Sequence, residues 1–196
     1  YAYPGNPALG HLIADVANEM GVKSRAHSDT TLELEYGTLV PMRYMNADRH
    51  YKVISISGWC DWHDLNESAR FGLAVRRAIE EKYDGTVAVF ASGSLSHHFA
   101  DNGRAPEFMH KVYDPFLEQV DQRVVELWKQ GDWKTFIGML PMYADKCWGE
   151  GDMHDTAMLL GLLGWTDYRA PVEIVTPYFG SSGTGQINAI FPVTPL

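Results

Sequence analysis

The sequence predicts an α/β fold, with a central mixed, mainly parallel sheet, helices on both faces and a C-terminal hairpin. Three observations carry that expectation. Two short apolar runs, 53–57 and 86–91, flank an amphipathic stretch at 69–82, which is the order of a strand–helix–strand unit with a right-handed crossover. Two β-rich runs, 172–176 and 186–191, surround the glycine-rich turn Ser181-Ser182-Gly183-Thr184-Gly185, as in a terminal hairpin. The 196 residues, 45% of them hydrophobic, suffice for one core, so a single α/β domain over 1–196 is expected.

The elements follow in order. Asn6 can cap a helix with Pro7 at its first position, where the missing N–H costs nothing. Leu9, Leu12, Ile13, Val16, Ala17 and Met20 give that helix an apolar face, and Gly21 ends it. His11, between apolar neighbours, reads as a partly buried structural residue. The alternation at 30–36 suggests a short strand stopped by Gly37, and 37–45 a tight turn into a short helix. The loop 59–64 holds His63 between Asp61 and Asp64, too closely spaced to converge on one ion. Capping is the expected role there, with Asn66 before a helix built on Ala69, Leu73, Val75, Ala78 and Ile79. Arg70, Arg76, Arg77, Glu80, Glu81 and Lys82 are expected to form its solvent face.

The second half repeats this grammar. Asp101-Asn102-Gly103 reads as a turn. Asp114 and Pro115 open a helix whose stripe is Phe116, Val120, Val124 and Trp128, with Leu117 and Leu127 beside it, and Gly131 closes it. A short helix over 134–140 is expected to break at Pro141. The loop 149–155 then leads into an apolar helix over 157–163.

Composition excludes several classes. A formal charge of −9 disfavours nucleic acid or an anionic membrane surface as a partner. No apolar run is long enough to span a bilayer, and no signal peptide is visible. Cys60, expected at a strand end, and Cys147, expected in a loop, form no disulfide framework and no paired zinc spacing; plain thiols in a cytoplasmic protein are expected. The glycine run at 183–185 lacks the Lys-Ser/Thr of a phosphate-binding loop.

Two stretches carry chemistry. Gly93-Ser94-Leu95-Ser96-His97-His98-Phe99 follows the run 86–91, so it falls at the carboxyl edge of the expected sheet, where α/β folds bind ligands. Imidazole exchanges protons near neutral pH, which suits such a site to acid–base work, although a surface loop with two histidines has the same pattern. Gly149-Glu150-Gly151-Asp152-Met153-His154-Asp155 places carboxylates at a helix start, where capping is the plain role. Glu150, Asp152, His154 and Asp155 nonetheless supply more oxygen and nitrogen ligands than one cap needs, and a divalent ion such as iron would accept them.

Gly37-Thr38-Leu39-Val40-Pro41, Gly93–His97, Gly149–Asp155 and Ser181–Gln186, taken in this order, resemble the class III extradiol ring-cleavage dioxygenases, the superfamily of the protocatechuate 4,5-dioxygenase catalytic subunit. The likeness runs from Tyr1 to Leu196. It implies Fe(II)-dependent meta cleavage by O2 of a catecholic acid, 3,4-dihydroxyphenylacetate foremost, to a ring-opened semialdehyde. By the same resemblance His97 is the acid/base and His98 has no assigned role. Asp155 falls at the metal carboxylate, with Glu150 and His154 as alternatives. Tyr36 falls where relatives place a substrate-facing histidine. The family's two iron histidines come from an N-terminal region, and His11, His27, His50 and His63 do not match them. The resemblance therefore implies that this chain is the later part of a longer catalytic domain, acting in a cytoplasmic homo-oligomer. The alternative is a non-catalytic subunit or binding relative of the same fold.

Overall fold

Helices dominate the chain, and most begin with the capping chemistry their sequences offer. The computed structural model describes residues 2–58 and 60–194, so Trp59, the first residue of the expected 59–64 loop, lies outside the described residues. The α-helices are α1 (Pro7–Glu19), α2 (Tyr36–Met45), α3 (Leu65–Lys82), α4 (Ala105–Phe108), α5 (Pro115–Gln130), α6 (Trp133–Cys147) and α7 (His154–Leu163). The strands are β1 (Glu173–Ile174), β2 (Phe179–Ser181), β3 (Thr184–Gln186) and β4 (Ala189–Ile190). The chain divides into two units, one formed by residues up to Ser92 with Asp155–Leu162, the other by Gly93–His154 with Leu163 onward.

In the first unit, Asn6 Oδ1 accepts the Leu9 N–H at 3.3 Å and Pro7 opens α1. Leu9, Ile13, Val16 and Ala17 are buried on α1, and Ala69, Ala74, Val75 and Ala78 on α3, where the two helices pack. The start of α3 is set by Asp64, not Asn66. Asp64 accepts the Glu67 N–H at 2.8 Å while the Glu67 carboxylate accepts the Asp64 N–H at 3.2 Å, a reciprocal capping box that leaves Asn66 inside the helix. Small residues let backbone approach backbone. A Cβ on Gly72 would run into the Met158 carbonyl, and one on Gly161 into Ala69.

Two polar residues depart from expectation here. Arg76 is buried (4% exposed), because its Nη1 reaches the Leu162 carbonyl at 3.2 Å while its Nε pairs with Glu80 at 2.8 Å. His11 is exposed and shares a hydrogen bond of 3.0 Å with Ser28 Oγ.

The fold class is mixed helix and strand, and among the described residues the paired strands are short and antiparallel. Of the run 53–57, Val53 bridges Gly5 in parallel, its N–H donating to the Pro4 carbonyl at 2.8 Å. Among the described residues the runs 30–36 and 86–91 form no ladder. Apolar and β-branched content marks a segment that suits a strand, but a ladder also needs a partner edge, and Val89 and Phe90 remain 41% and 48% exposed.

In the second unit the C-terminal hairpin forms as expected, in two nested pairs. β2 pairs with β3 in the register Phe179↔Gln186 and Ser181↔Thr184, and β1 pairs with β4 outside them. Ser182 (φ 55°) and Gly183 (φ 96°) make the inner turn, whose two positive φ values match the twist of a tight hairpin.

Asp114 Oδ1 accepts the Phe116 N–H at 2.7 Å to start α5, and Gly131 ends it at φ 67°. The buried face of α5 is Leu117, Asp121, Val124, Val125, Leu127 and Trp128, turned from the expected stripe, so that Phe116 is 55% exposed. α6 continues through Pro141 instead of breaking there. The proline removes one helical donor, yet Phe136, Leu140, Tyr143 and Cys147 around it are fully buried, and that packing outweighs the local cost of about 3 kcal/mol. Cys147 thus lies in a helix, not a loop. Trp133 anchors the core by donating its Nε1–H to the Ala170 carbonyl at 2.9 Å.

Candidate active site

The second unit assembles the His97 segment between two others. On one edge the Leu95 N–H donates to the Gly185 carbonyl and the Gly185 N–H to the Ser96 carbonyl, both at 2.9 Å, with His97 bridged to Thr184. On the other edge the Glu150 N–H donates to the Leu95 carbonyl at 3.3 Å, and Ser96 is bridged to Gly149. Three of the four motifs met in the sequence are therefore laced together by backbone hydrogen bonds within this unit.

That lacing sets a side-chain pair. His97 Nε2 stands 3.6 Å from Glu150 Oε2, each side chain about four-fifths shielded. The same carboxylate oxygen accepts the Ser94 N–H. Gln186 spans the neighbourhood, its Nε2 donating to Ser94 Oγ and to Thr184 Oγ1. Phe99 and the His97 ring meet in a T-shaped contact, 4.4 Å between centroids. His98 has a packing role instead: its ring lies 3.9 Å from that of Tyr113 and 4.2 Å from that of Trp148.

The Glu150 loop is held in an unusual backbone path. Trp148 (φ 49°), Gly151 (56°), Asp152 (51°) and Met153 (64°) all take left-handed conformations. Such conformations cost energy in non-glycine residues and persist where surroundings impose them, commonly near functional sites. Met153, buried at 1% exposure, is part of that surrounding, and a Cβ on Gly149 would collide with it.

Beneath the segment lies a carboxylate that the sequence reading missed. Asp121 is fully buried and accepts four hydrogen bonds: Ser96 N–H (3.2 Å) and Tyr143 O–H (2.6 Å) on Oδ1, Ser96 O–H (2.7 Å) and Tyr178 O–H (2.6 Å) on Oδ2. Burial pushes its pKa up, while the hydrogen bonds from Tyr143, Tyr178 and Ser96 pull the other way. The phenols of Tyr143 and Tyr178 are driven upward, chiefly by burial and also by the Asp121 charge they face. The signal was present in the sequence. Leu117, Asp121, Val124 and Trp128 fall at i, i+4, i+7 and i+11, so an acid interrupts the buried stripe of α5. A cleft of about 560 Å³ lined by Phe108, Lys111, Tyr113, Tyr178 and Phe179 borders the cluster through Tyr178.

The remaining candidates are placed as follows. Asp155 belongs to the first unit, and its Oδ1 accepts the N–H (2.6 Å) and the hydroxyl (3.3 Å) of Thr156 at the start of α7. His154, the first residue of α7, is buried at 5% exposure. Tyr36 opens α2 in the first unit and is 66% exposed. Among the described residues no group of three or more His, Cys, Asp and Glu converges as a metal site. A non-haem iron centre needs two histidines and a carboxylate, and Glu150 and His97 supply one oxygen donor and one imidazole beside it. These residues do not amount to a whole iron site. They do bring an imidazole to face a carboxylate that a backbone N–H fixes in place.

Known proteins bear directly on this arrangement. Residues 1–192 match the family described as the catalytic LigB subunit of aromatic ring-opening dioxygenase. The chain is 53% identical over 182 residues to a protein of Escherichia coli named 3,4-dihydroxyphenylacetate 2,3-dioxygenase, a match covering 93% of this chain. It spans about two thirds (66%) of that protein's own length. The motifs that lace the second unit together lie inside the matched span, and the chain belongs to the LigB family, the catalytic subunits of aromatic ring-opening dioxygenases.

Proposed function

We propose that the protein to which this chain belongs cleaves a catecholic acid with O2 beside, not between, its two hydroxyls. The substrate we favour is 3,4-dihydroxyphenylacetate, giving a ring-opened semialdehyde. Family membership and the 53% identical relative support this reading, and the observation that carries it is the placement of His97 Nε2 3.6 Å from the Glu150 carboxylate.

In this reading His97 is the acid/base. A phenolic hydroxyl holds its proton tightly at neutral pH, and an imidazole at Nε2 can accept that proton and return it later to the opening ring. Glu150 is the carboxylate we favour as a metal ligand over Asp155 and His154, because it stands 3.6 Å from His97 Nε2 while its orientation is fixed by Ser94. Ferrous iron, when bound, would hold catechol and O2 together and ease ionisation of the hydroxyls. Tyr36, by the family resemblance, would hydrogen-bond a ring substituent. The reading extends to a full-length protein that is cytoplasmic, homo-oligomeric and built on a central, mainly parallel sheet that includes the runs 53–57 and 86–91. Among the described residues no helix is long and apolar enough to cross a membrane.

The test uses full-length protein loaded with ferrous iron and given 3,4-dihydroxyphenylacetate. A yellow product and stoichiometric O2 uptake are expected. Iron-loaded protein that neither colours nor consumes oxygen would overturn the proposal and favour a non-catalytic relative.

A further inference from the structure

We propose that Asp121 is the positioning residue for His97, holding the segment that carries the base through Ser96. The inference rests on the acid/base reading of His97 but concerns a residue outside that chemistry. Asp121 stands on α5, far from His97 in sequence, and it is the meeting point of three elements: Ser96 on the His97 segment, Tyr143 on α6 and Tyr178 just before β2.

Four donors on two carboxylate oxygens saturate the group. Each oxygen receives two, and Ser96 supplies one to each. That double contact from a single residue restrains translation of the segment and also its twist, since a carboxylate accepts in its plane at fixed directions. The next residue is His97, whose own backbone is bridged to Thr184 on the strand that also holds Gly185. Gly185 closes the arrangement, because a Cβ there would fall on the Asp121 carboxylate and 2.6 Å from the Tyr178 hydroxyl. The strand can therefore press against the acid only with glycine at this position. A pair of hydrophobic groups could fill the same space, but would leave Ser96 N–H, a buried backbone donor, without a partner.

The burial of this cluster also makes it stiff. Ser96 and Asp121 are fully buried and Thr184 is 2% exposed, so water cannot replace a lost contact without opening the unit. A displacement of about 1 Å in a catalytic group can cost about a hundredfold in rate.

The test compares full-length wild type with Asp121→Asn, Ser96→Ala and Tyr178→Phe, following backbone hydrogen exchange of the 93–99 segment by mass spectrometry alongside steady-state kinetics. Asparagine keeps the shape but exchanges one acceptor for a donor. The expected result for Asp121→Asn is exchange of that segment faster by ~10-fold or more, together with a fall in kcat of ~10–100-fold and a KM within about threefold of wild type. Ser96→Ala and Tyr178→Phe speed the exchange by less, and they decide the matter if Asp121→Asn does not fold. Unchanged exchange of the segment in the folded variants overturns the inference. If wild type opens no catechol, the functional reading falls while the exchange still decides this one.

Discussion

His97 Nε2 and Glu150 Oε2 lie 3.6 Å apart although they come from distant parts of the chain, joined by the hydrogen bond of Glu150 N–H to Leu95 and by the Ser96–Gly149 bridge. Replacing His97 by Gln preserves polarity and approximate size but removes the group that exchanges a proton near neutral pH. Ring cleavage by His97→Gln should fall by ~10²–10⁴-fold while bound iron stays at the wild-type level. Oxygen uptake and metal analysis on the same preparation check this. A variant retaining most of its activity would remove His97 from the acid/base role.

The carboxylate assignment is open to direct comparison. Glu150→Gln keeps an oxygen to accept the Ser94 N–H and discards the charge. It should weaken iron binding at least ~10-fold. Asp155→Asn, by contrast, keeps the acceptor for Thr156 and should leave iron content unchanged. The opposite pattern, iron lost from Asp155→Asn and kept by Glu150→Gln, would return the assignment to Asp155.

What the sequence made legible was mostly local. The Asn6-Pro7 and Asp114-Pro115 starts, the Gly131 stop and the hairpin around Ser182-Gly183 depend on capping and turn chemistry acting within a few residues. The misreadings were of relationships between distant segments. Pro141 reads as a break unless one knows that Leu140 and Tyr143 are fully buried on either side of it. Arg76 reads as solvent-facing unless the Leu162 carbonyl is seen to meet it. The site shows the same division. His97 and the 149–155 loop were visible as residue types, but choosing Glu150 for the pair required the backbone bonds to Leu95 and Ser94. Asp121 was overlooked because its partners lie on three different elements.

Asp121 also bears on stability. Truncation by Asp121→Ala would leave Ser96 and the phenols of Tyr143 and Tyr178 to find new partners in a buried site. The expected loss is about 3–5 kcal/mol, against about 1–2 kcal/mol for Asp121→Asn. Urea denaturation with a constant m-value checks the difference. Losses below about 1 kcal/mol in both variants would show that carboxylate acceptance is not what stabilises the cluster.

The first unit depends on glycine at one contact in particular. Gly161 lies against the backbone of Ala69 on α3, where an added methyl group has no room. Gly161→Ala gains helix propensity of up to about 1 kcal/mol, yet the overlap should outweigh it and leave a net loss of ~1–3 kcal/mol. Gly10→Ala on α1, where a Cβ meets nothing within 4 Å, is the control and should be neutral or stabilising. Matched thermal or urea unfolding of the two variants separates propensity from packing.

Alkaline pH should act on the second unit through a thiol. Burial, helped by the charge of Asp121, pushes the Cys147 pKa from 9.0 up to about 11. The folded chain therefore keeps its proton at a pH where the unfolded chain has begun to lose it. The resulting contribution is fully present below about pH 9, declines as pH rises, and is gone once pH passes the folded value near 11. The buried phenol of Tyr168, raised from 10.0 to about 12, behaves alike but only from about pH 10 upward. The window between about pH 9 and 10 thus belongs mainly to Cys147. Unfolding free energy measured across it should fall for wild type and stay flatter for Cys147→Ala. The same protonation should make Cys147 far slower than the less buried Cys60 to react with a thiol reagent near pH 8, since the thiolate is the nucleophile. A Cys147 that reacts as fast as Cys60 in folded protein, or a wild-type slope that survives Cys147→Ala, would show that the alkaline loss has another source.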